Sequence, residues 1–339
     1  MATVPTIALD AMGGDYAPDE IVAGAAEALK GAQGQLRIVL VGQQPLIRRA
    51  LERYGPIEGI TIRHASESVD MAESVASLRR KKDSSLAVAI RMQKDGEADA
   101  MVSAGNTGAA MALSLLILGR IPGVSRPAIA CTMPTATGVC TLLDVGANTT
   151  CKPEHLVQFA VMGSLYHTYA HSVARPRVGL LSIGEEASKG DSLVQETHAM
   201  LAVSSLNFIG NVEGRDILPG AADVVVCDGF TGNVVLKFAE SAAQVIGGMI
   251  REAVQSSAMS RLGGVLIKRQ FAKVKQRFDW EEYGGAPLLG IDGITIICHG
   301  RSKAKAIRNA IRVAAMAARG QLNSHIKAEL EKVSVDATA

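Results

Sequence analysis

Short apolar runs alternate along this chain with longer stretches in which apolar residues recur every three or four positions. The short runs predict buried strands, and the longer stretches predict helices that each bury one face. A turn rich in Gly, Asp, Asn, Ser or Thr separates the two. Six strand–turn–helix units of this kind start within the segments 6–11, 36–42, 99–118, 139–148, 178–190 and 223–240.

This alternation predicts an α/β fold with a doubly wound, mostly parallel sheet. Ligands of such sheets bind beyond the carboxyl ends of the strands, and we expect all the polar turns to lie at that edge. No linker, repeat or low-complexity stretch divides the chain. We therefore expect a single domain over residues 1–332, with a helical hairpin over about 234–282 and a disordered tail at 333–339.

Charge and cysteine content narrow the class of protein. The 35 basic and 33 acidic residues give a net charge of +2, so the overall charge does not favour nucleic acid as a partner. The five cysteines are widely spaced, as is typical of reduced thiols in the cytosol. The N-terminus lacks the basic and long apolar regions of a secretion signal. We expect a cytoplasmic protein without a metal site.

Two turns have a form suited to anions. The segment 103–109, SAGNTGA, ends a strand and starts a helix, with glycines on both sides of Asn106 and Thr107. Glycine lets the backbone approach a ligand, and the free amides of a helix start attract phosphate. The segment 228–233, DGFTGN, repeats this form. A plain turn between strand and helix is the alternative for each segment.

Several well-known motifs are absent from the sequence. No Gly-x-Gly occurs, which excludes the dinucleotide fingerprint, and no Gly-Lys pair exists for a Walker loop. The Gly-x-Ser-x-Gly elbow of serine hydrolases is missing as well. Nucleotide binding and a serine nucleophile are therefore both disfavoured.

Individual polar residues near strand ends are candidates for chemistry. Lys189 follows a strand in GEEASKGD, where its ammonium group could neutralise phosphate or stabilise an oxyanion; a solvated surface lysine is the alternative. Asp10, Asp15 and Asp144 could orient a ligand, although aspartates in such places commonly stabilise turns. His299 could polarise a carbonyl, and a structural histidine is an equal alternative.

One stretch is strongly basic. No acidic residue occurs between Glu252 and Asp279, whereas six lysines and arginines do. Ile267, Phe271, Val274 and Phe278 share one helical face, which predicts an amphipathic cationic helix. Gly263 and Gly264 predict an apolar turn between two helices. Helix packing or dimerisation, an acidic protein partner and an anionic membrane all remain open as its role. The shorter run from Arg79 to Lys82 is interpreted as a helix end, with contact to an acidic partner as the alternative.

Nine segments together resemble one family. In order they are ALDAMGGDYAPDE, RRKKDSS, DAMVSAGNTGA, LDVGAN, LLSIGEEASKG, NFIGNVEGRDI, VVVCDGFTGNVVLK, YGGAPLLGIDG and CHGRSKAKAI. They are similar to the motifs of the phosphate acyltransferase family of bacterial phospholipid synthesis, from Thr6 to about Ala317. Each motif alone is weak, and their shared order makes the resemblance specific.

The resemblance implies a three-layer αβα fold similar to phosphotransacetylase and isocitrate dehydrogenase, and a homodimer. It implies an acyltransferase that converts acyl-acyl carrier protein and inorganic phosphate to acyl phosphate and free carrier, without a cofactor. The acyl phosphate would feed a downstream membrane acyltransferase, which suggests peripheral contact with the inner face of the plasma membrane. Direct attack by phosphate on a thioester needs no enzyme nucleophile.

The resemblance and the turns together give three groups of expected site residues. Catalytic roles are expected for Lys189, Asn233, Asn106, Asp10, Asp144 and His299. Phosphate or substrate binding is expected for Gly13, Gly14, Asp15, Ser103, Gly105, Thr107, Gly108, Asn148, Gly229 and Gly232. Membrane or carrier contact is expected for Leu262, Val265, Leu266, Ile267, Lys268, Arg269, Phe271 and Lys273.

Two rival functions fit parts of this pattern. A phosphate acetyltransferase that uses acetyl-CoA would share the implied fold and would also need a phosphate turn. A non-catalytic scaffold could bring the carrier protein to the membrane through the basic helix. The number of glycine turns at strand ends favours an enzyme over the scaffold.

Overall fold

The computed structural model describes residues 4–73, 75–78, 80–277 and 279–336. Its strands are β1 (Thr6–Asp10), β2 (Arg37–Gly42), β3 (Ile60–His64), β4 (Ala100–Ser103), β5 (Ala128–Pro134), β6 (Val139–Leu143), β7 (Val178–Leu181), β8 (Phe208–Val212), β9 (Val224–Val226), β10 (Ala286–Leu289) and β11 (Thr295–Ile297).

Helices follow most of the strands, as the alternation predicts, but β5 leads directly to β6 and β10 leads directly to β11. They are α1 (Asp19–Ala32), α2 (Gln44–Leu51), α3 (Val75–Leu78), α4 (Ser85–Lys94), α5 (Thr107–Ile117), α6 (Pro153–His171), α7 (Ser192–Ala202), α8 (Gly214–Ile217), α9 (Gly229–Gln255), α10 (Ala258–Arg277), α11 (Ala304–Arg319) and α12 (Leu322–Asp336). Helix α12 thus extends into the segment expected to be a tail, and residues 337–339 lie outside the described part.

All these strands form one sheet in the order β3-β2-β1-β4-β11-β10-β5-β6-β9-β7-β8. Strands β1, β2, β3, β4 and β11 are parallel to one another, as are β6, β7, β8 and β9. The β11–β10, β10–β5 and β5–β6 pairs are antiparallel. Three reversals therefore make the two parallel sets run in opposite directions.

This reversal corrects the expectation that all polar turns lie at one edge of the sheet. The turn after β4 and the turn after β6 leave their strands in opposite directions. The pairing register nevertheless places Val102, one residue before the end of β4, level with Leu143 and Val226, which end β6 and β9. The two sets of turns start at one level, with β4 and β6 four strand spacings apart, roughly 19 Å along the sheet.

Helices cover both faces of the sheet, which confirms the three-layer αβα fold. On one face, α4, α5 and the first turns of α9 pack against a core that includes Ala8, Met101, Leu142 and Val225. On the opposite face, one core buries α1 and α11, and another buries α6 and α12. The starts of α5 and α9 consequently lie on the same face.

Helices α9 and α10 form the predicted helical hairpin, but its turn is not where the glycines indicated. Both Gly263 and Gly264 lie inside α10, and the chain turns at residues 256–257. A Cβ on Gly264 would be 2.4 Å from Val254 Cγ1. The prediction of a glycine turn is therefore wrong because Gly264 serves close packing of the two helices.

Much of the hairpin's apolar side chain surface is exposed. Leu266 is 74% exposed and Val265 is 69% exposed, and Leu262, Ile267, Phe271 and Val274 are exposed as well. The expected contacts Lys268 and Arg269 are also on the surface. The side chain of Lys273, together with Arg79 and Phe278, lies outside the described residues. Among the helices described, none combines the length and apolar character that crossing a bilayer requires.

Candidate active site

The turn at the start of α5 leaves two backbone amides open. Asn106 is the N-cap of this helix, and its Oδ1 accepts a hydrogen bond from the N–H of Ala109 at 3.0 Å. The N–H groups of Thr107 and Gly108 donate to no oxygen of the described residues. Because the helix dipole is positive at this end, the two amides are suited to hold an anion.

Asp10 ties the turn after β1 to the turn after β4. Its buried carboxylate accepts hydrogen bonds from Ser103 Oγ at 2.7 Å and from the N–H of Met12 at 3.2 Å, and Ser103 Oγ accepts one from Gly105 N–H at 3.0 Å. Burial raises the pKa of Asp10, and the hydrogen bonds oppose the rise. Asp10 and Ser103 thus shape the backbone beside the open amides.

Glycine is required where the first turn approaches the second. A Cβ on Gly13 would lie 2.6 Å from Asp10 Oδ2 and 2.8 Å from the amide nitrogen of Gly105. Gly14 has a φ of +105°, in the region that favours glycine. The N–H of Asp15 then donates to the Gly300 carbonyl at 2.8 Å. The expected residues 13–15 and 103–108 therefore come together with the loop that follows β11.

That loop contains His299 and a residue that the sequence interpretation did not include. His299 is exposed, and its Nδ1 accepts a hydrogen bond from Arg301 N–H at 3.2 Å. Ser302 is buried, and its hydroxyl has no partner among the described residues. A serine in a polar loop gives no sequence signal of burial, so only the structure identifies it.

The corresponding turn at the start of α9 is occupied by the protein's own oxygens. Asp228 is the N-cap, and its Oδ1 accepts hydrogen bonds from the N–H groups of Phe230 at 2.9 Å and Thr231 at 3.0 Å. The N–H of Gly229 donates to the Asn148 carbonyl at 2.7 Å. The first three amides of α9 are therefore engaged, and a carboxylate already faces the helix dipole.

Asp144 organises the turn after β6, against which α9 starts. It is buried and accepts five hydrogen bonds, from the N–H groups of Ile129, Gly146, Ala147 and Asn148 and from Asn148 Nδ2, at 2.7–3.2 Å. Burial raises the pKa of Asp144, while these bonds oppose the rise. Asp144, Asn148, Gly229 and Gly232 thus come together as a structural joint between β6 and α9.

Asn233 and Lys189 lie beside the half of the sheet that contains β6, β7 and β9. Asn233 Cγ is 4.0 Å from the position that a Cβ on Gly146 would occupy. Lys189 is exposed, and its aliphatic part lies over Gly184, where a Cβ would be 2.8 Å from Lys189 Cγ. Among the described ion pairs and hydrogen bonds, none joins Lys189 to residues 103–108.

A segment after β3, residues 66–73, contacts the α5 turn and was not predicted as part of the site. Asn106 Nδ2 donates to the carbonyls of Met71 at 2.9 Å and Glu73 at 3.2 Å. We call residues 66–73 the strap. Its acceptors are backbone carbonyls, so its residue types gave no indication of the contact.

Two open cavities lie elsewhere, along α2 and β3. Their volumes are about 460 and 410 Å³, and they share Gln44 and Arg48 as lining residues. Neither is lined by an expected site residue. In the described part of the chain, no three His, Cys, Asp or Glu side chains are grouped so as to hold a metal ion.

Known proteins resemble this chain along nearly all of its length. The family model described as fatty acid synthesis protein matches residues 5–325. A phosphate acyltransferase of Heliobacterium modesticaldum is 52% identical over 336 residues, covering 96% of this chain and 99% of that relative. Another, of Pelotomaculum thermopropionicum, is 48% identical over 330 residues, covering 97% of this chain and 96% of that relative.

A solved structure supports the fold independently of close sequence similarity. The phosphotransacetylase of Streptococcus pyogenes superposes with a TM-score of 0.61 at 21% identity, covering 92% of this chain and 94% of that one. This likeness confirms the predicted phosphotransacetylase-like fold. With the family match and the relatives above, it follows that the chain is an acyltransferase and belongs to the fatty acid synthesis protein family.

Proposed function

We propose that this acyltransferase moves a fatty acyl group from the thioester of acyl carrier protein to inorganic phosphate, and that phosphate binds at the start of α5. The observation that carries the site is the pair of open amides, Thr107 N–H and Gly108 N–H, at a helix start. The curated relatives are named phosphate acyltransferases, which supports phosphate as the acceptor. The product, acyl phosphate, would supply a membrane acyltransferase.

The reaction needs positioning more than an enzyme nucleophile. A phosphate oxygen attacks the thioester carbonyl carbon, the carbon–sulfur bond breaks, and the proton released by phosphate goes to the leaving thiolate. Burial raises the pKa of Cys131, Cys140 and Cys298 to about 12, so these thiols stay protonated and are poor nucleophiles. Their state supports direct attack by phosphate.

Two residues beside the other half of the sheet, which contains β6, β7 and β9, are proposed to act on the thioester. Lys189 is exposed and has no ion pair among the described residues, so its ammonium group is available to negative charge. Asn233 faces the turn that contains Gly146, where its amide could orient the thioester oxygen. Both sets of turns start at one level of the sheet, and attack requires them to bring the thioester carbon within about 3.5 Å of the phosphate oxygen.

The activity is tested with the purified chain, phosphate and either palmitoyl-carrier protein or acetyl-CoA. Trapping of acyl phosphate by hydroxylamine reports the product. Product from the carrier substrate supports the proposal, and product from acetyl-CoA alone would replace it with a phosphate acetyltransferase. No product from either donor would contradict both proposed donors.

The phosphate site is tested by Thr107→Pro. Proline fits the first position of a helix, and Asn106 before it has the extended backbone that proline requires, with φ −63° and ψ 116°. The variant therefore loses one amide N–H and keeps the helix. We expect kcat/KM for phosphate to fall by roughly tenfold to a hundredfold. Thr107→Ala keeps the amide and is the matched control. Equal kinetics for the two variants would place phosphate elsewhere.

The hairpin is proposed to serve a homodimer and the membrane. Exposed apolar residues along α9, among them Val245, Ile246 and Met249, support a face for a second copy. On α10, exposed Leu262 and Leu266 beside Lys268 and Arg269 support peripheral contact with anionic lipid or with the acidic carrier. We also propose that residues 1–332, hairpin included, act as one catalytic domain in the cytoplasm.

Lipid contact is tested by Leu266→Glu. We expect this variant to float with anionic vesicles to a clearly smaller extent than the parent, because a carboxylate replaces an apolar contact and repels the headgroups. Arg37→Glu, at the exposed first residue of β2, makes a larger charge change away from the hairpin and is the control. Flotation of Leu266→Glu equal to that of the parent would contradict lipid contact.

A further inference from the structure

Asn106 uses both ends of its side chain inside the protein. Its Oδ1 caps α5, and its Nδ2 donates to the carbonyls of Met71 and Glu73, with the carbonyl of Asp70 at 3.5 Å. An asparagine amide has two N–H donors. Both are therefore occupied, and none remains for a phosphate oxygen.

The strap that receives these bonds is fixed at its base. Ser66 donates through its N–H and its Oγ to Asp83 Oδ2, at 2.9 and 2.5 Å. The N–H of Ser85 donates back to the Glu67 carbonyl at 3.0 Å, and Ser85 begins α4. The strap is thus anchored to a buried helix at one end, and its other end reaches Asn106.

A lysine holds the strap along its length. Lys81 Nζ donates to the Ser68 carbonyl at 2.9 Å and pairs with Glu73 at 2.7 Å. The hydrogen bond from Lys81 lowers the pKa of Glu73 and raises that of Lys81. Around this bridge, the carbonyls of Met71 and Glu73 are held toward the start of α5.

The strap also reaches the loop after β11. The methyl end of Met71 would be 2.8 Å from a Cβ on Gly300, and Gly300 accepts the N–H of Asp15. Met71 therefore lies where the turns after β1 and β11 meet, beside the α5 turn. Contacts with three separate loops place the strap against the proposed phosphate site.

We propose that Asn106 is a positioning residue that clamps the strap onto the α5 turn, and that this clamp holds the Thr107 and Gly108 amides in place for phosphate. The inference deepens the proposed function and rests on phosphate binding at this turn. It replaces the expectation that Asn106 itself contacts phosphate. Amides fixed in advance bind an anion without a cost of ordering, so a loose strap would weaken binding.

The test separates the two ends of the asparagine. Asn106→Ser keeps an oxygen that can cap α5 and removes the donors to the strap. We expect amide exchange in residues 69–73 to speed up, and the dissociation constant for inorganic phosphate measured by calorimetry to rise, each roughly tenfold, because two hydrogen bonds are lost. Asn106→Asp also keeps the cap and lacks the donors, so exchange in the strap should increase in it as well.

A second variant loosens the strap without touching α5. Ser66→Ala removes the hydroxyl that donates to Asp83, and we expect the same two changes, each roughly threefold or less because one exposed bond is lost. Weaker phosphate binding with unchanged strap exchange in Asn106→Ser would mean that Asn106 contacts phosphate directly, which overturns the proposal. Faster exchange with unchanged phosphate binding would overturn it too, by separating the strap from the site.

These readouts do not depend on acyl transfer. If the parent forms no acyl phosphate, but Asn106→Ser shows both weaker phosphate binding and faster strap exchange, the clamp stands and the proposed reaction fails. If the parent forms acyl phosphate and both strap variants bind phosphate as it does, the reaction stands and the clamp fails.

Discussion

The starts of α5 and α9 look alike in sequence and differ in what they leave free. Each follows a strand, places glycines at the helix start and has a side chain cap. The α5 cap is the neutral Asn106, and two amides beside it have no partner among the described residues. The α9 cap is the carboxylate Asp228, which takes two amides itself.

The glycines of the two turns differ in the same way. Gly229 and Gly232 are packed against the β6 turn, where a Cβ on Gly229 would be 2.7 Å from Asp144 Oδ2. A Cβ on Gly108 would meet only Asn106 Oδ1, at 3.4 Å, an ordinary contact. At the start of α9, the glycines allow close packing of the helix on the sheet. At the start of α5, Gly108 leaves the backbone accessible. A shared glycine pattern therefore does not imply a shared ligand.

The largest expected effect comes from filling the closest of these contacts. Gly232→Ala would place a Cβ 2.0 Å from the Asp144 carbonyl oxygen, so that α9 must shift away from the β6 turn. We expect the free energy of unfolding to fall by about 3 kcal/mol, measured by urea denaturation. Gly108→Ala is the matched variant at α5, and its change should stay within about 1 kcal/mol. Similar losses for the two would contradict the difference between the turns.

Six strand–helix units were predictable because the periodicity of apolar residues reports burial directly, whereas β3, β5, β8 and β10 lie outside the predicted segments. Strand direction was not predictable, because β5, β6 and β10 are apolar like the strands of the parallel sets, and only their pairing reveals the three reversals. The turns could likewise be identified from the sequence, but the pairing register that starts both sets at one level of the sheet could not.

The sequence predicted some of the residues of the candidate site, but not which backbone amides are free. Ser103, Gly105, Thr107 and Gly108 were identified from the turn pattern, and the structure brings them together with Asp10 and Gly13. Asn and Asp both cap helices, so the sequence could not show which turn satisfies its own amides. The strap binds through carbonyls that every residue type carries, and no pattern of side chains could have placed it beside Asn106.

A smaller effect tests the cap of α9 itself. Asp228→Ala removes the acceptor of the Phe230 and Thr231 amides, and we expect a loss of about 1 kcal/mol of stability in urea denaturation. Asp228→Asn keeps an acceptor for the two amides but loses the favourable charge at the helix start and the second oxygen, which accepts from the Thr231 hydroxyl; we expect a cost of about 0.5 kcal/mol. Because neither change reaches the α5 turn, the dissociation constant for phosphate should stay that of the parent. Weaker phosphate binding in both variants, at full folding, would show that the α9 start takes part in holding the anion after all.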